Sequence, residues 1–190
     1  MPPKIRFTRE DIVAAALEIA REQGIEGVNA RAVAARLGCS TQPLFREFES
    51  MEQIKHEVVR LAMDIYARHI AEGAASAPIS YKGTGLAYID FARREPQLFK
   101  LLFMQDRVSK PVADIEDPSI ELVISTLMER VSLSREQAKE FHMNMWVFVH
   151  GLAVMTATKY MSFTDEELSR MLSAEFMAMK RLYENENGSR

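Results

Sequence analysis

The chain has 190 residues, of which 47% are apolar and 27% charged, and its formal net charge is −3. That is the make-up of a soluble globular protein with chain enough for a hydrophobic core in one or two domains, and the acidic balance excludes a protein that coats nucleic acid indiscriminately. A lone cysteine, Cys39, excludes an internal disulfide framework and suits a reducing cytoplasm; no apolar run approaches membrane-spanning length, and the first residues lack the apolar core of a secretion signal.

The first nine residues carry Lys4, Arg6 and Arg9 without an acid. This small basic arm reads equally as a solvated terminus and as a phosphate-contacting segment. A first helix is predicted from Arg9 to about Gln23, capped by Thr8 and ended by Gly24, with Ile12, Ala16, Ile19 and Ala20 on its apolar stripe. A second starts after Asn29 and runs to about Leu37, with Ala30, Val33, Ala34 and Leu37 inward. Gly38 then bends the chain, because glycine accepts backbone angles other residues resist. A third helix is predicted after Ser40 as cap, with Pro43 in the first turn, where a missing N–H loses no helical bond. Leu44 and Phe48 anchor it, while Gln42 and Arg46 point away.

A fourth helix spans roughly Met51 to Glu72, and Gly73 to Pro78 reads as a connection. A fifth runs from about Ile79 to Arg94. Pro96 opens a sixth, to about Gln105, and residues 106–116 read as a loop. Asp117-Pro118 starts a seventh, which ends near Val131. Ser134 caps an eighth, to about Tyr160. Thr164 caps a ninth, to about Tyr183, before a polar tail from Asn185 to Arg190. No strand signal and no internal repeat is present. The fold class is therefore all-α with about nine helices: a helix-turn-helix DNA-binding domain over residues 1–50 and a helical regulatory and dimerisation domain over 51–190. No flexible spacer separates them.

Two short helices about a glycine turn can place one helix face in a DNA major groove. The start of such a helix needs short or hydrogen-bonding side chains near base edges. Ser40, Thr41, Gln42, Pro43 and Arg46 fit: Gln42 can pair adenine in two places, and Arg46 can read guanine or clamp a phosphate, its place near the helix end favouring the phosphate. By spacing alone, an exposed polar face on an ordinary helix hairpin accounts for these residues equally well.

The eighth helix is apolar on two stripes, one through Phe141, Met145, Phe148, Leu152 and Met155, the other through Trp146, Val149, Ala153 and Tyr160. The ninth adds Leu168, Leu172, Phe176, Met179 and Tyr183. A helix apolar on more than one face is covered on more than one side. Burial within the same chain would satisfy this, but the excess points to a two-fold contact between subunits. Its expected residues are Phe148, Leu152, Met155, Leu168, Leu172, Phe176 and Met179. Catalysis finds no support. The four histidines make no metal-ligand spacing with carboxylates, no nucleophile elbow or phosphate loop occurs, and no cofactor or metal is expected.

Phe7-Thr8 with Ile12, Ala15, Ala16 and Gly24, then Val28 to Ala34, Leu37 to Ser40, Leu44-Phe45 and Phe48 resemble the N-terminal domain of TetR/AcrR transcriptional regulators. Phe91 to Phe99 and Trp146 to Ala153 are similar to the regulatory domain of a subgroup with a Trp-His-Gly signature, here Trp146, His150 and Gly151. The resemblance implies an all-helical homodimer, joined through its last two helices, that represses from a palindromic operator. A small-molecule inducer releases it. It also implies backbone contacts from Thr8 and Arg31. The chain departs from the family at three places. Phe45 replaces a phosphate-binding tyrosine and can pack on sugar or a thymine methyl. Glu47 replaces a common His or Tyr. Met51 replaces a frequent lysine, for which Lys55, one turn on, substitutes. An inducer pocket is expected among the fourth to eighth helices, lined by Tyr66, Tyr88, Phe91, Phe103, Met104, His142 and Trp146, although each also reads as plain core. The competing readings are a helical small-molecule carrier or enzyme with an incidental helix hairpin, and a module that uses the hairpin to hold another protein.

Overall fold

The computed structural model describes residues 7–76, 80–105 and 120–188. Nine α-helices and no strand occur among them: α1 (Arg9–Gln23), α2 (Ala30–Leu37), α3 (Leu44–Glu47), α4 (Met51–Ser76), α5 (Ser80–Arg94), α6 (Pro96–Phe103), α7 (Ile120–Val131), α8 (Arg135–Ala157) and α9 (Asp165–Gly188). The chain divides into two compact units. One takes the described residues to Ile65 and those from Glu95 to Gln105; the other takes Tyr66–Arg94 and the described residues from Ile120 on. The boundary falls inside α4.

In the first unit, local chemistry sets each helix end. Thr8 Oγ1 accepts from the Asp11 amide at 3.2 Å while the Asp11 carboxylate accepts from the Thr8 amide at 2.9 Å, closing a reciprocal cap on α1. Asn29 caps α2 by accepting from the Ala32 amide at 3.1 Å. Ile12, Ala16, Ile19, Val33, Leu44, Phe48, Ile54 and Val58 are buried, joined from α6 by Leu98, Phe99 and Leu102. Arg36 on α2 grips Glu22 on α1 with both terminal guanidinium nitrogens, Nη1 and Nη2. Arg21 reaches Glu95, just before α6, at 2.9 Å.

In the second unit α5 packs along α8, with α7 and α9 against them. Phe141 is fully buried and meets the rings of Phe176 and Tyr183 at 5.4 and 5.6 Å. Ser134 and Gln137 cap α8 reciprocally.

Several helix ends differ from the sequence expectation. The third helix begins at Leu44, and Ser40 makes no capping bond. Instead the Leu44 and Arg46 amides donate three residues back, to Thr41 and Pro43, so the chain enters α3 through a tighter turn. Pro43 stands one position before the helix, where its missing N–H costs nothing. Gly73 does not break α4: a Cβ there would lie 2.3 Å from that of Ala87, so this glycine is where α4 and α5 cross. α8 stops at Ala157 because Lys159 takes a left-handed conformation (φ 57°), with the Tyr160 amide donating to the Met155 carbonyl at 3.0 Å. α9 runs on to Gly188, through part of the expected tail. Both the Asp117-Pro118 start and the 106–116 loop lie outside the described residues, as do Lys4 and Arg6 of the basic arm.

Candidate nucleic-acid interface

Gly38 ends α2 in the left-handed region (φ 67°, ψ 33°), its amide and that of Cys39 turned back onto the carbonyls of Ala34 and Ala35. A Cβ at Gly38 would meet nothing within 4 Å, so the backbone angle and not crowding requires glycine. Cys39, next in the turn, is half-buried. The turn swings α3 so that Leu44 (0% exposed) and Phe48 (2%) plug into the core of the unit. The opposite side of the segment is left in solvent: Ser40, Gln42 and Arg46 are exposed, Thr41 and Pro43 half-exposed, and Phe45 is 48% exposed, a large aromatic held out in water. An exposed ring beside an exposed amide and guanidinium gives this side groups of the kind that meet base edges and sugars.

Around this face, Arg31 at the start of α2 is exposed. Neither it nor Arg46 makes an ion pair among the described residues. Lys55, half-buried on the first turns of α4, sits 3.4 Å from Glu52, a loose pair open to solvent. Thr8 is exposed, its hydroxyl oxygen accepting in the cap of α1. The Glu47 side chain is half-buried, and its backbone carbonyl accepts from Arg9. Arg9 is the functional feature that the sequence did not reveal: its guanidinium also lies over the Phe48 ring, 4.0 Å from the centroid. No sequence signal marks a contact across 38 positions.

Of the expected pocket residues, Tyr66, Tyr88 and Phe91 are buried together in the second unit, Tyr66 edge-on to Tyr88 at 6.0 Å and to Phe91 at 5.4 Å. Trp146 and His142 are half-buried in the same unit. Trp146 stacks on His150 at 4.8 Å, and the His150 Nδ1 lies 2.9 Å from the Tyr88 hydroxyl. Burial holds the His150 imidazole below its ordinary value, and burial pushes the Tyr81 phenol up. Phe103 and Met104 belong to the first unit, and Met104 is exposed. One cleft of about 440 Å³ in the second unit is lined by His69, Glu72, Asp90, Arg93, Arg94 and Asp165 over a floor that includes Gly73, Ala87 and Leu168. None of the seven expected pocket residues lines it. Its charges are largely paired: Asp90 holds His69 at 3.2 Å and Arg94 at 2.7 Å, and Arg93 holds Asp165 at 2.8 Å.

The expected interface residues divide as well. Leu152, Leu168 and Leu172 are buried within the protomer and so are core, not contact surface, and Phe176 and Met179 pack partly against the Phe141 cluster. Only Met155 is exposed, with Phe148 half-exposed. The apolar surface left open lies one step around the helices, at Met143 and Val147 of α8 and Met177 and Leu182 of α9. The excess was legible, but which stripe faced inward was set by α5 and α7.

Comparison with known proteins agrees with this geometry. Residues 12–58 match the family described as bacterial regulatory proteins, tetR family, and residues 82–178 match the tetracyclin repressor-like C-terminal domain. The chain belongs to the TetR family. It is 26% identical over 171 residues to an uncharacterized HTH-type transcriptional regulator, YobS, of Bacillus subtilis (strain 168), covering 88% of this chain and 87% of that one. The fold is also that of a TetR-like transcriptional regulator from Rhodococcus sp. RHA1 (TM-score 0.66, 13% identity, 93% and 96% of the two chains). It is shared with the fatty acid degradation regulator FadR from Bacillus halodurans (TM-score 0.61, 12% identity, 94% and 97%). As a TetR-family protein the chain is a DNA-binding transcriptional regulator and not an enzyme. Among the described residues no helix is long and apolar enough to cross a membrane.

Proposed function

We propose that the protein is a cytoplasmic repressor that binds a palindromic operator as a homodimer and leaves it when a small molecule occupies the regulatory domain. Residues 1–50 read DNA, and residues 51–190 pair the subunits and hold the effector. The observation that carries the reading is the solvent-facing side of the α3 segment. There Gln42 pairs a base edge, Ser40, Thr41 and Pro43 approach the groove closely, and Phe45 packs on a sugar or thymine methyl. Arg31, Arg46, Lys55 and, through its exposed edge, Thr8 hold the phosphates.

Pairing is supported by the outer face of α8. Met143, Val147, Gly151 and Met155 stand at four-residue steps on one stripe, and a Cβ at Gly151 would meet no atom within 4 Å in the protomer. That stripe, with Phe148 at its edge and Met177 and Leu182 of α9, suits a second copy of itself. Two reading helices about 34–36 Å apart then engage successive turns of one DNA face. The Trp146-His150-Gly151 arrangement supports the subgroup assignment. For the effector, the aromatic cluster of Tyr66, Tyr88 and Phe91, which Trp146 joins through His150, offers an apolar lining, with His142 beside Tyr81 in the same unit. A ligand that parts these rings acts only through the conformation it prefers.

Selection of duplexes from a random pool by the purified protein tests the DNA reading. Gln42→Ala is expected to change the selected sequence. Lys55→Ala is expected to weaken all sequences and to reduce the slope of log affinity against log salt by about one. Unchanged selection and unchanged slope would refute the assignment of both residues.

A further inference from the structure

We propose that Arg9 is the positioning residue of the DNA-reading segment, acting from inside the fold and not as a phosphate contact of the basic arm. This rests on the DNA-reading assignment above. Three observations lead to it. α3 has four residues, far below the length at which a helix holds itself in water. Its last carbonyls have no partner within the helix, and one of them, that of Glu47, accepts from a guanidinium nitrogen of Arg9. The same guanidinium covers the Phe48 ring at 4.0 Å, and Phe48, at 2% exposure, is the plug by which the segment is anchored where it leaves α3.

Arg9 is fit for this task by its own placement. It is the first residue of α1, a helix fixed at that end by the Thr8–Asp11 cap. Its side chain is half-buried, with the planar fork turned onto Glu47 and Phe48. A guanidinium can donate in its plane and stack through its face at once, whereas an ammonium has no such plane. Its charge also sits where the partial negative charge of the last α3 carbonyls collects. The clamp ties the far end of α3 to the start of α1, and so fixes the direction in which Gln42, Phe45 and Arg46 are presented. Loss of the clamp leaves the attraction of Arg31, Arg46 and Lys55 for phosphate in place and degrades the alignment with base edges.

The test compares Arg9→Met and Arg9→Lys in the full chain, by amide hydrogen exchange without DNA and by affinity for a duplex selected by the wild type and for an unrelated duplex, across a salt range. Both variants are expected to exchange the Phe48 amide, which donates to the Leu44 carbonyl at 2.9 Å, about tenfold faster, with the Val33 amide of α2 unchanged. Both are expected to bind the selected duplex about tenfold more weakly, to bind the unrelated duplex as before and to keep the salt slope. Recovery of wild-type affinity in Arg9→Lys overturns the proposal, since charge alone would then suffice. So does an equal loss on both duplexes with the slope reduced by about one, the mark of a phosphate contact. Unchanged exchange at Phe48 overturns the clamp itself. Should Arg9→Met fail to fold, Phe48→Leu, which keeps apolar bulk and removes the ring face, is expected to reproduce the Arg9→Lys losses, and wild-type binding by it counts against the proposal. If the wild type selects no duplex, the DNA reading fails, and the positioning role with it. The exchange arm still shows separately whether the clamp exists.

Discussion

Gly38 and Lys159 take nearly the same backbone angle, with φ of 67° and 57°, and each ends a helix. Only one was legible in advance. Glycine at a helix end announces a left-handed residue because it has no Cβ to clash with the following carbonyl, whereas a lysine there announces nothing. At Gly38 the surrounding space is open, so Gly38→Ala meets only the backbone penalty. It is expected to lower stability by roughly 1–2 kcal/mol in urea unfolding, partly offset by the stiffer unfolded chain. His150 offers a second test at this scale. Desolvation holds its pKa below the ordinary 6.5, so the folded state binds the proton less readily than the unfolded state. Stability is then full above about pH 7 and falls as pH drops below 6.5 toward the folded-state value. His150→Gln is expected to flatten that decline in thermal unfolding between pH 7.5 and 5.5, and an equally steep decline in the variant would assign the loss to other groups.

At the scale of the element, the caps of α1, α2, α8 and α9 were legible because they are local: Thr8 with Asp11, Asn29, Ser134 with Gln137, and Thr164 with Glu167, whose side chains bond across three residues. α3 was legible only in its anchors. Leu44 and Phe48 are core as their spacing predicts, but Ser40 does not cap, because the turn spends its hydrogen bonds on backbone carbonyls. Gly73 opens a stretch that reads as a connection in the sequence, yet α4 runs through it to Ser76. A glycine inside a helix costs about 1 kcal/mol against alanine, and α4 bears that cost to approach α5. Gly73→Ala is therefore expected to destabilise despite its better helix propensity, since the new Cβ would sit 2.3 Å from Ala87. Adding Ala87→Gly is expected to recover part of the loss in the same thermal assay. A Gly73→Ala protein more stable than the wild type would show that the helices shift apart freely.

At the scale of the whole molecule, the reading depends on two copies acting together. Val147 is 60% exposed in the protomer, so Val147→Glu costs little within one chain. In a two-fold contact it would set like charges close to an apolar seam. Sedimentation is expected to show monomers for Val147→Glu where the wild type sediments as dimers, with operator affinity falling as the second half-site is lost. A dimeric Val147→Glu would place the contact elsewhere.

The sequence by itself determined the helical fold and the glycine turn. It also determined the split of the α3 segment into buried Leu44 and Phe48 and outward Gln42 and Arg46, because caps, glycine angles and helical periodicity act over a few residues. Only the tertiary structure decided which stripes of α8 and α9 are core, that Gly73 is a crossing and not a break, and that Arg9 closes on Glu47 and Phe48. Those outcomes depend on which distant element arrives against each face, and no short window of sequence contains that partner.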